Sequence, residues 1–297
     1  MRMLAASLVC SGACLVGGSA HAAPVGELRL LVIPLTWGPA VPSQQELRQA
    51  VDDADAFFDR ASFGRASVTG TVTPAVTGFV VPPSCFAGAN KDAGLGAVGL
   101  AARAAAARLG YDPSAYDRFV YVFPDRVCGS GGLGAGRDVL LAGEIGGLVH
   151  ELGHTLRLPH AGRAACATCS IREYGDPESV MGQGGADFNA WEKAQLGWVT
   201  AVRRVTESGT YAVDPVDAPS ERAQALVVPT GVGTLWIQHR LEPVPRVSIR
   251  VVKRPPGGGA VRSIYLAGGS AGTATLKGVI RVRRVPGGLA VTRLDRR

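Results

Sequence analysis

The sequence predicts an α+β fold: a larger domain over residues 23–200 with a mixed twisted sheet and long helices, then a small all-β domain over residues 201–297. Three observations predict it. Strand-like and helix-like stretches alternate through the first two hundred residues. After Trp198 helical periodicity stops, and short β-branched runs separated by Pro and Gly take over, as in a small sandwich or barrel. Charge divides at the same place: residues 201–297 carry 16 Lys and Arg against 6 Asp and Glu, net +10, whereas residues 1–200 carry 15 against 18, net −3.

The chain opens with Met1-Arg2, an apolar run from Met3 to Val16, and a small-residue stretch ending Ala20-His21-Ala22. A short positive start, an apolar core too short for a comfortable membrane span and an A-x-A end describe a secretory signal over residues 1–22. The expected location is extracellular or periplasmic. No later stretch is apolar and long enough to cross a membrane.

The next elements follow from local pattern. Leu28 to Leu35 is an apolar strand. Ser43-Gln44-Gln45-Glu46 is a capping box opening an amphipathic helix to about Ala61, with Leu47, Val51, Ala54 and Phe58 on one face. Ala66 to Val72 alternates like a strand, Val98 to Leu109 is an alanine-rich helix stopped by Gly110, and Arg118 to Phe123 is a buried strand. A glycine loop from Cys128 to Gly136 reads as mobile and near a cleft, and Asp138 to Leu141 is a short strand. A helix carrying HELGHTLRLPHA, residues 150 to 161, comes next. Beyond Trp198 the strand-like runs are Ala225 to Val228, Thr234 to His239, Val247 to Val252 and Val279 to Val285.

Cysteine usage agrees with export. Cys10 and Cys14 fall in the expected leader, which leaves Cys85, Cys128, Cys166 and Cys169 for an oxidising compartment. Of three possible connectivities, Cys85–Cys128 with Cys166–Cys169 is the expected one, since the close pair is bound to meet. Cys166-Ala167-Thr168-Cys169 also has zinc-knuckle spacing, but it lacks a second pair, which favours the disulfide.

The basic C-terminal part suits an anionic surface such as cell-wall polymer, lipid head groups or nucleic acid; equally it fits a soluble arginine-rich surface with no such partner. Neither aromatic-interleaved RNA-binding signatures nor zinc-finger spacings are present, so specific nucleic-acid reading is not expected. GxSxG and Walker motifs are absent too, and Gly131 to Gly136 precedes a strand instead of following one, which argues against a phosphate cradle.

Three of the five histidines lie in one short segment. On a helix, His150 and His154 project from one face, where both imidazoles reach a common ion. Glu151 points beside that ion and suits a general base. His160, six residues after His154, needs the helix to stop, and Pro159 helps to stop it. Three neutral imidazoles leave a fourth tetrahedral position for water, as in a catalytic zinc site.

The segment His150 to His160 resembles the metzincin metallopeptidase signature HExxHxxGxxH. Glu173 to Gly182 resembles the Met-turn region of the gametolysin-like peptidases, and Phe188 to Trp198 the helix that follows it there. The likeness is good over roughly residues 115 to 200. It implies a zincin-like (metzincin) catalytic domain and a secreted zinc endopeptidase acting on protein or peptide substrates with one catalytic zinc. His150, His154 and His160 are implied as ligands, Glu151 as the general base and acid, Met181 as the methionine beneath the metal, and Asp138 to Leu141 as the edge strand along which a peptide lies. Met181 is expected to pack and not to ligate.

Arg157 departs from the pattern, standing where the family has glycine as the chain leaves the helix, which puts the placement of His160 at issue. Gln183 stands where some metzincins place an extra tyrosine ligand. A rival reading is an impaired metzincin-like protein serving as an adhesion or matrix-binding module, and a third is an exported zinc hydrolase with a non-peptide substrate. Trp191 and Trp198 are expected as core anchors, His239 as an ordinary residue, and Gly146, Gly147 and Gly153 as weak points of the active-site helix explained by close packing.

Overall fold

The computed structural model describes residues 26–36, 41–77, 91–124, 131–143, 145–185, 187–254, 258–269 and 272–294. The expected signal segment and the Cys85–Cys128 pairing lie outside the described residues.

The first sheet is laid down by β1 (Gly26–Thr36), β2 (Ala66–Val72), β3 (Val76–Thr77), β4 (Arg118–Phe123), β5 (Gly132–Ala135) and β6 (Asp138–Ala142). Its order is β2-β1-β4-β6-β5, with β3 also on β1. All pairings are parallel except that of β5, which runs antiparallel to β6. The parallel strands are joined through α1 (Gln44–Ser62) and α2 (Lys91–Arg108). Helices therefore cover both faces, which accounts for the nearly continuous apolar character of β1. Leu28, Leu30 and Val32 enter the core beneath α1, while Leu31, Ile33 and Leu35 enter the core beneath α2. Val120 and Val122 of β4 join the first core, and Phe119, Tyr121 and Phe123 the second.

The capping box forms as its spacing predicts: Glu46 N–H donates to Ser43 Oγ at 3.2 Å, and Ser43 N–H to Glu46 Oε2 at 2.7 Å. Leu47, Val51, Ala54 and Phe58 are all buried. Trp198 is buried edge-on to Phe58, with ring centroids 5.9 Å apart, and Trp191 is buried as well.

Three expectations need correction. Within the expected mobile glycine loop, Gly132–Ala135 is a strand, because its glycines satisfy close packing and not chain freedom. The edge strand is this β5, and β6, which contains Asp138 to Leu141, lies inside the sheet between β4 and β5. Gly146 and Gly147 stand in a 3-10 turn before the helix that carries His150 and His154, and so do not weaken its body.

The remaining elements are α3 (Leu148–Thr155), β7 (Gly162–Arg163), α4 (Ala190–Gln195) and the strands β8 (Val202–Arg204), β9 (Gly209–Ala212), β10 (Ala225–Thr230), β11 (Gly233–Arg240), β12 (Arg246–Lys253), β13 (Arg262–Gly269), β14 (Thr273–Leu276), β15 (Ile280–Val285) and β16 (Gly288–Arg293). Among the described residues no helix follows α4. These strands form one sheet in the order β7-β13-β12-β11-β10-β8 and another in the order β14-β15-β16-β9, sharing an apolar core that includes Ile249, Val251, Val282 and Val291.

The chain on either side of residue 200 is joined by buried polar bonds. Arg250 of β12 sends Nε to Asp176 Oδ2 at 2.7 Å and Nη2 to Glu178 Oε2 at 3.0 Å. Arg240 of β11 reaches Asp187 and the Phe188 carbonyl. Asn189, which caps α4 with Glu192 in a second capping box, donates to Ser263 Oγ at 2.9 Å. The C-terminal sheet thus packs against the segment from Asp176 to Asn189.

Candidate metal centre

The helix α3 is only eight residues long, and it puts His150 and His154 one turn apart on the same face. It ends on a left-handed Arg157, with φ 68°. Arg157 N–H donates to the His154 carbonyl at 2.9 Å and Leu158 N–H to the Gly153 carbonyl at 3.0 Å, the paired bonds of a Schellman motif. The arginine therefore takes the conformation that glycine adopts freely, and the turn delivers His160 to the other two histidines. The expected difficulty in placing His160 does not arise.

The ligand atoms of His150, His154 and His160 all lie within 4.8 Å of one another. His154 Nε2 is 3.1 Å from His150 Nε2 and 3.0 Å from His160 Nε2. On the far side of each ring, His150 Nδ1 meets the Val180 carbonyl, His154 Nδ1 the Leu158 carbonyl, and His160 Nδ1 Glu173 Oε1, at 2.8, 2.8 and 2.9 Å. Carbonyl and carboxylate oxygens only accept, so all three protons belong on Nδ1. Three bare lone pairs then converge at separations that are repulsive without a cation between them. That donor set fits a metal of zinc's type, for which neutral imidazoles with oriented Nδ1–H groups are the usual ligands. Burial lowers the His150 pKa and lowers that of His154 to about 4, so both are held neutral.

Glu151 is 8 % exposed, and its Oε2 has no hydrogen-bond partner among the described residues. Burial pushes its carboxyl up to about 7, against a hydrogen bond from the Gly134 backbone N–H. The edge strand β5 lies directly over it. A Cβ on Gly132 would overlap the Glu151 carboxylate, and one on Gly134 would overlap the Glu151 carbonyl. Glycine is needed in this strand so that it can come close to α3.

Met181 is fully buried in the core beneath α3, and a Cβ on Gly153 would overlap its sulfur. The backbone at this turn also contributes: the Val180 carbonyl holds His150, and Ala161 N–H, next to His160, donates to the Met181 carbonyl at 2.8 Å.

A family model described as gametolysin peptidase M11 matches residues 47–235, well over half of the chain. The chain belongs to the gametolysin peptidase family. Peptidases of this family are zinc-dependent hydrolases, and His150, His154 and His160 are a group that could hold such an ion. No curated protein gives a significant match. Among solved structures, one of catalytically inactive OgpA from Akkermansia muciniphila, in complex with an O-glycopeptide (glycodrosocin) substrate, is 13 % identical; the alignment covers 96 % of each chain with a TM-score of 0.36.

In this gametolysin-family site the structure brings together His150, Glu151, His154 and His160, with Met181 below. Cys166 and Cys169 form a disulfide, as expected from their spacing. They do not join the histidines. His239 is distant in role: it is buried, with Nε2–H donating to the Val213 carbonyl at 3.0 Å.

The sequence alone assigned no part to Glu173, Tyr174 or Arg262. Glu173 accepts from His160, and the half-exposed Tyr174 lays its ring 3.9 Å from that of His160, centroid to centroid. Arg262 Nη1 donates to Glu173 Oε1 at 3.3 Å. A carboxylate thirteen residues after a ligand histidine has no spacing signature, and Arg262 is brought in only by the fold.

Proposed function

We propose that this chain is a secreted zinc endopeptidase that hydrolyses peptide bonds of extracellular or cell-envelope proteins. The observation that carries the reading is the convergence of three Nε2 lone pairs beside an unpartnered, buried Glu151 Oε2. His150, His154 and His160 would hold a zinc ion, which when bound would supply Lewis acidity toward a scissile carbonyl and acidify water. Glu151 would take a proton from the attacking water and return it to the leaving amine, a task suited to a carboxyl raised to about 7. An extended peptide pairs along β5, the outermost strand of the first sheet among the described residues, which lies over Glu151. Met181 supports α3 from below without ligating. Residues 23–200 make the metzincin-like catalytic domain, and residues 201–297 a basic β appendage able to meet an anionic cell-surface polymer.

Incubation of zinc-loaded protein with an unstructured protein substrate tests this. Cleavage by the wild type, with Glu151→Gln reducing turnover by about 10²–10⁴-fold while retaining zinc, is the expected result. Zinc retention without cleavage by the wild type favours the adhesion reading instead.

A further inference from the structure

The three histidines are not held alike. His150 and His154 direct Nδ1–H to backbone carbonyls, whose positions are set by the Met181 turn and by the end of α3. His160 directs its Nδ1–H to a side chain, the carboxylate of Glu173. That side chain is 53 % exposed, and a glutamate free to turn into water cannot by itself fix an imidazole.

Its second partner comes from the C-terminal sheet. Arg262 is the first residue of β13; its side chain is 17 % exposed, and its Nη1 donates to Glu173 Oε1, the oxygen that also receives the His160 proton. The same strand also sets, through β7, the backbone just before Glu173. β13 pairs in parallel with β7 through Ile264 with Gly162 and Tyr265 with Arg163, two and three residues after His160. Arg163 in turn bridges Arg172, the neighbour of Glu173, by N–H to carbonyl bonds of 2.9 and 2.8 Å in both directions. One strand therefore registers the chain that leaves His160, the chain that brings Glu173, and the guanidinium between the carboxylate and the sheet.

We propose that Arg262 is a positioning residue for the metal centre, holding Glu173 on His160 Nδ1–H so that the C-terminal sheet completes the ligand set. This rests on the zinc reading above. The family match ends at residue 235, before Arg262, so the contribution comes from a part of the chain beyond the matched region. Groups hydrogen-bonded to metal-ligating histidines commonly change metal affinity when removed, which makes affinity the direct readout.

Zinc dissociation constants from chelator competition, with the visible spectrum of the cobalt-substituted protein, are to be compared in the wild type, Glu173→Ala, Glu173→Gln, Arg262→Ala, Arg262→Lys and the double alanine variant. Glu173→Ala is expected to weaken zinc binding by about 10–100-fold and Arg262→Ala by about 10-fold, each with an altered cobalt spectrum. Arg262→Lys and Glu173→Gln, which keep a donor and an acceptor, recover most of the loss. Once Glu173 is alanine, removing Arg262 costs nothing more, a non-additivity that a merely structural arginine does not give. If Arg262→Ala does not fold, Arg262→Gln, of similar reach without the charge, carries the same comparison. Arg262 variants within twofold of the wild type, or losses that simply add, overturn the proposal while leaving the zinc reading intact. A wild type that binds no zinc overturns both.

Discussion

Gly153 lies against Met181 so closely that a side chain on the glycine would run into the methionine sulfur, with the Phe188 ring in ordinary contact beside it. The helix that carries His150 and His154 thus accepts a poor helix former for the sake of contact with the methionine below it. Gly153→Ala is expected to destabilise the protein by about 1–3 kcal/mol through overpacking, although alanine is the better helix former. Gly146→Ala, where no atom lies within 4 Å of an added Cβ, is expected to be close to neutral. Denaturant midpoints of the two variants check the contrast, and equal effects would remove the packing explanation.

Arg157 holds a left-handed conformation at a cost of about 1 kcal/mol relative to an unstrained residue. Glycine relieves the strain but loses more entropy on folding, so Arg157→Gly is expected to be neutral or stabilising by no more than about 1 kcal/mol. Because the Schellman bonds already form, zinc affinity is expected to stay within twofold of the wild type. A variant clearly less stable than the parent would mean that the arginine side chain makes a needed contact.

Arg250 is buried between Asp176 and Glu178, which lie in the segment leading to Met181. Asp176 N–H also bonds to the Ala161 carbonyl, so the pair ties the C-terminal sheet to the residue after His160. Arg250→Ala leaves the buried Asp176 carboxylate without its guanidinium and Glu178 with only the longer 3.6 Å pair to Arg246, and is expected to cost about 3–5 kcal/mol. Thermal unfolding of the metal-free protein measures it; a loss under 1 kcal/mol would show that the ion pairs do not join the two parts.

Much of this was readable in advance, and the failures have physical causes. The capping box at Ser43, the Gly110 stop and the buried strand at Arg118 carry local signals that tertiary packing reinforced. So did the triad, because helical spacing alone aligns His150 with His154. The strand Gly132–Ala135 was missed because a glycine-rich edge lacks β-branched residues; its glycines record the approach of α3, which only the fold reveals. That omission moved the edge-strand assignment to Asp138–Leu141. The start of α2 at Lys91, earlier than the expected Val98, was obscured by glycines at 94 and 96. Arg250 and Arg262 looked like surface basic residues in a positively charged C-terminal part, yet their partners are acids 72 to 89 residues away.

His239 gives a pH dependence separate from the metal site. Burial lowers its pKa below the ordinary 6.5, and its Nδ1 has no hydrogen-bond partner among the described residues. The unfolded chain therefore takes up a proton before the folded one does as pH falls through 6.5. The neutral ring's contribution is complete above that value and is lost progressively below it, toward the lowered folded-state pKa. Between pH 7 and 5 the wild type is expected to lose more stability than His239→Gln. Parallel stability curves over that range would contradict the assignment.

The central claim is that His150, His154 and His160 together hold one zinc ion. Equilibrium dialysis of the folded protein against buffered zinc, followed by metal analysis, measures this directly. One zinc per chain, with occupancy collapsing in His160→Ala under the same buffer, is the expected result; no retained zinc, or undiminished occupancy in His160→Ala, would contradict the account.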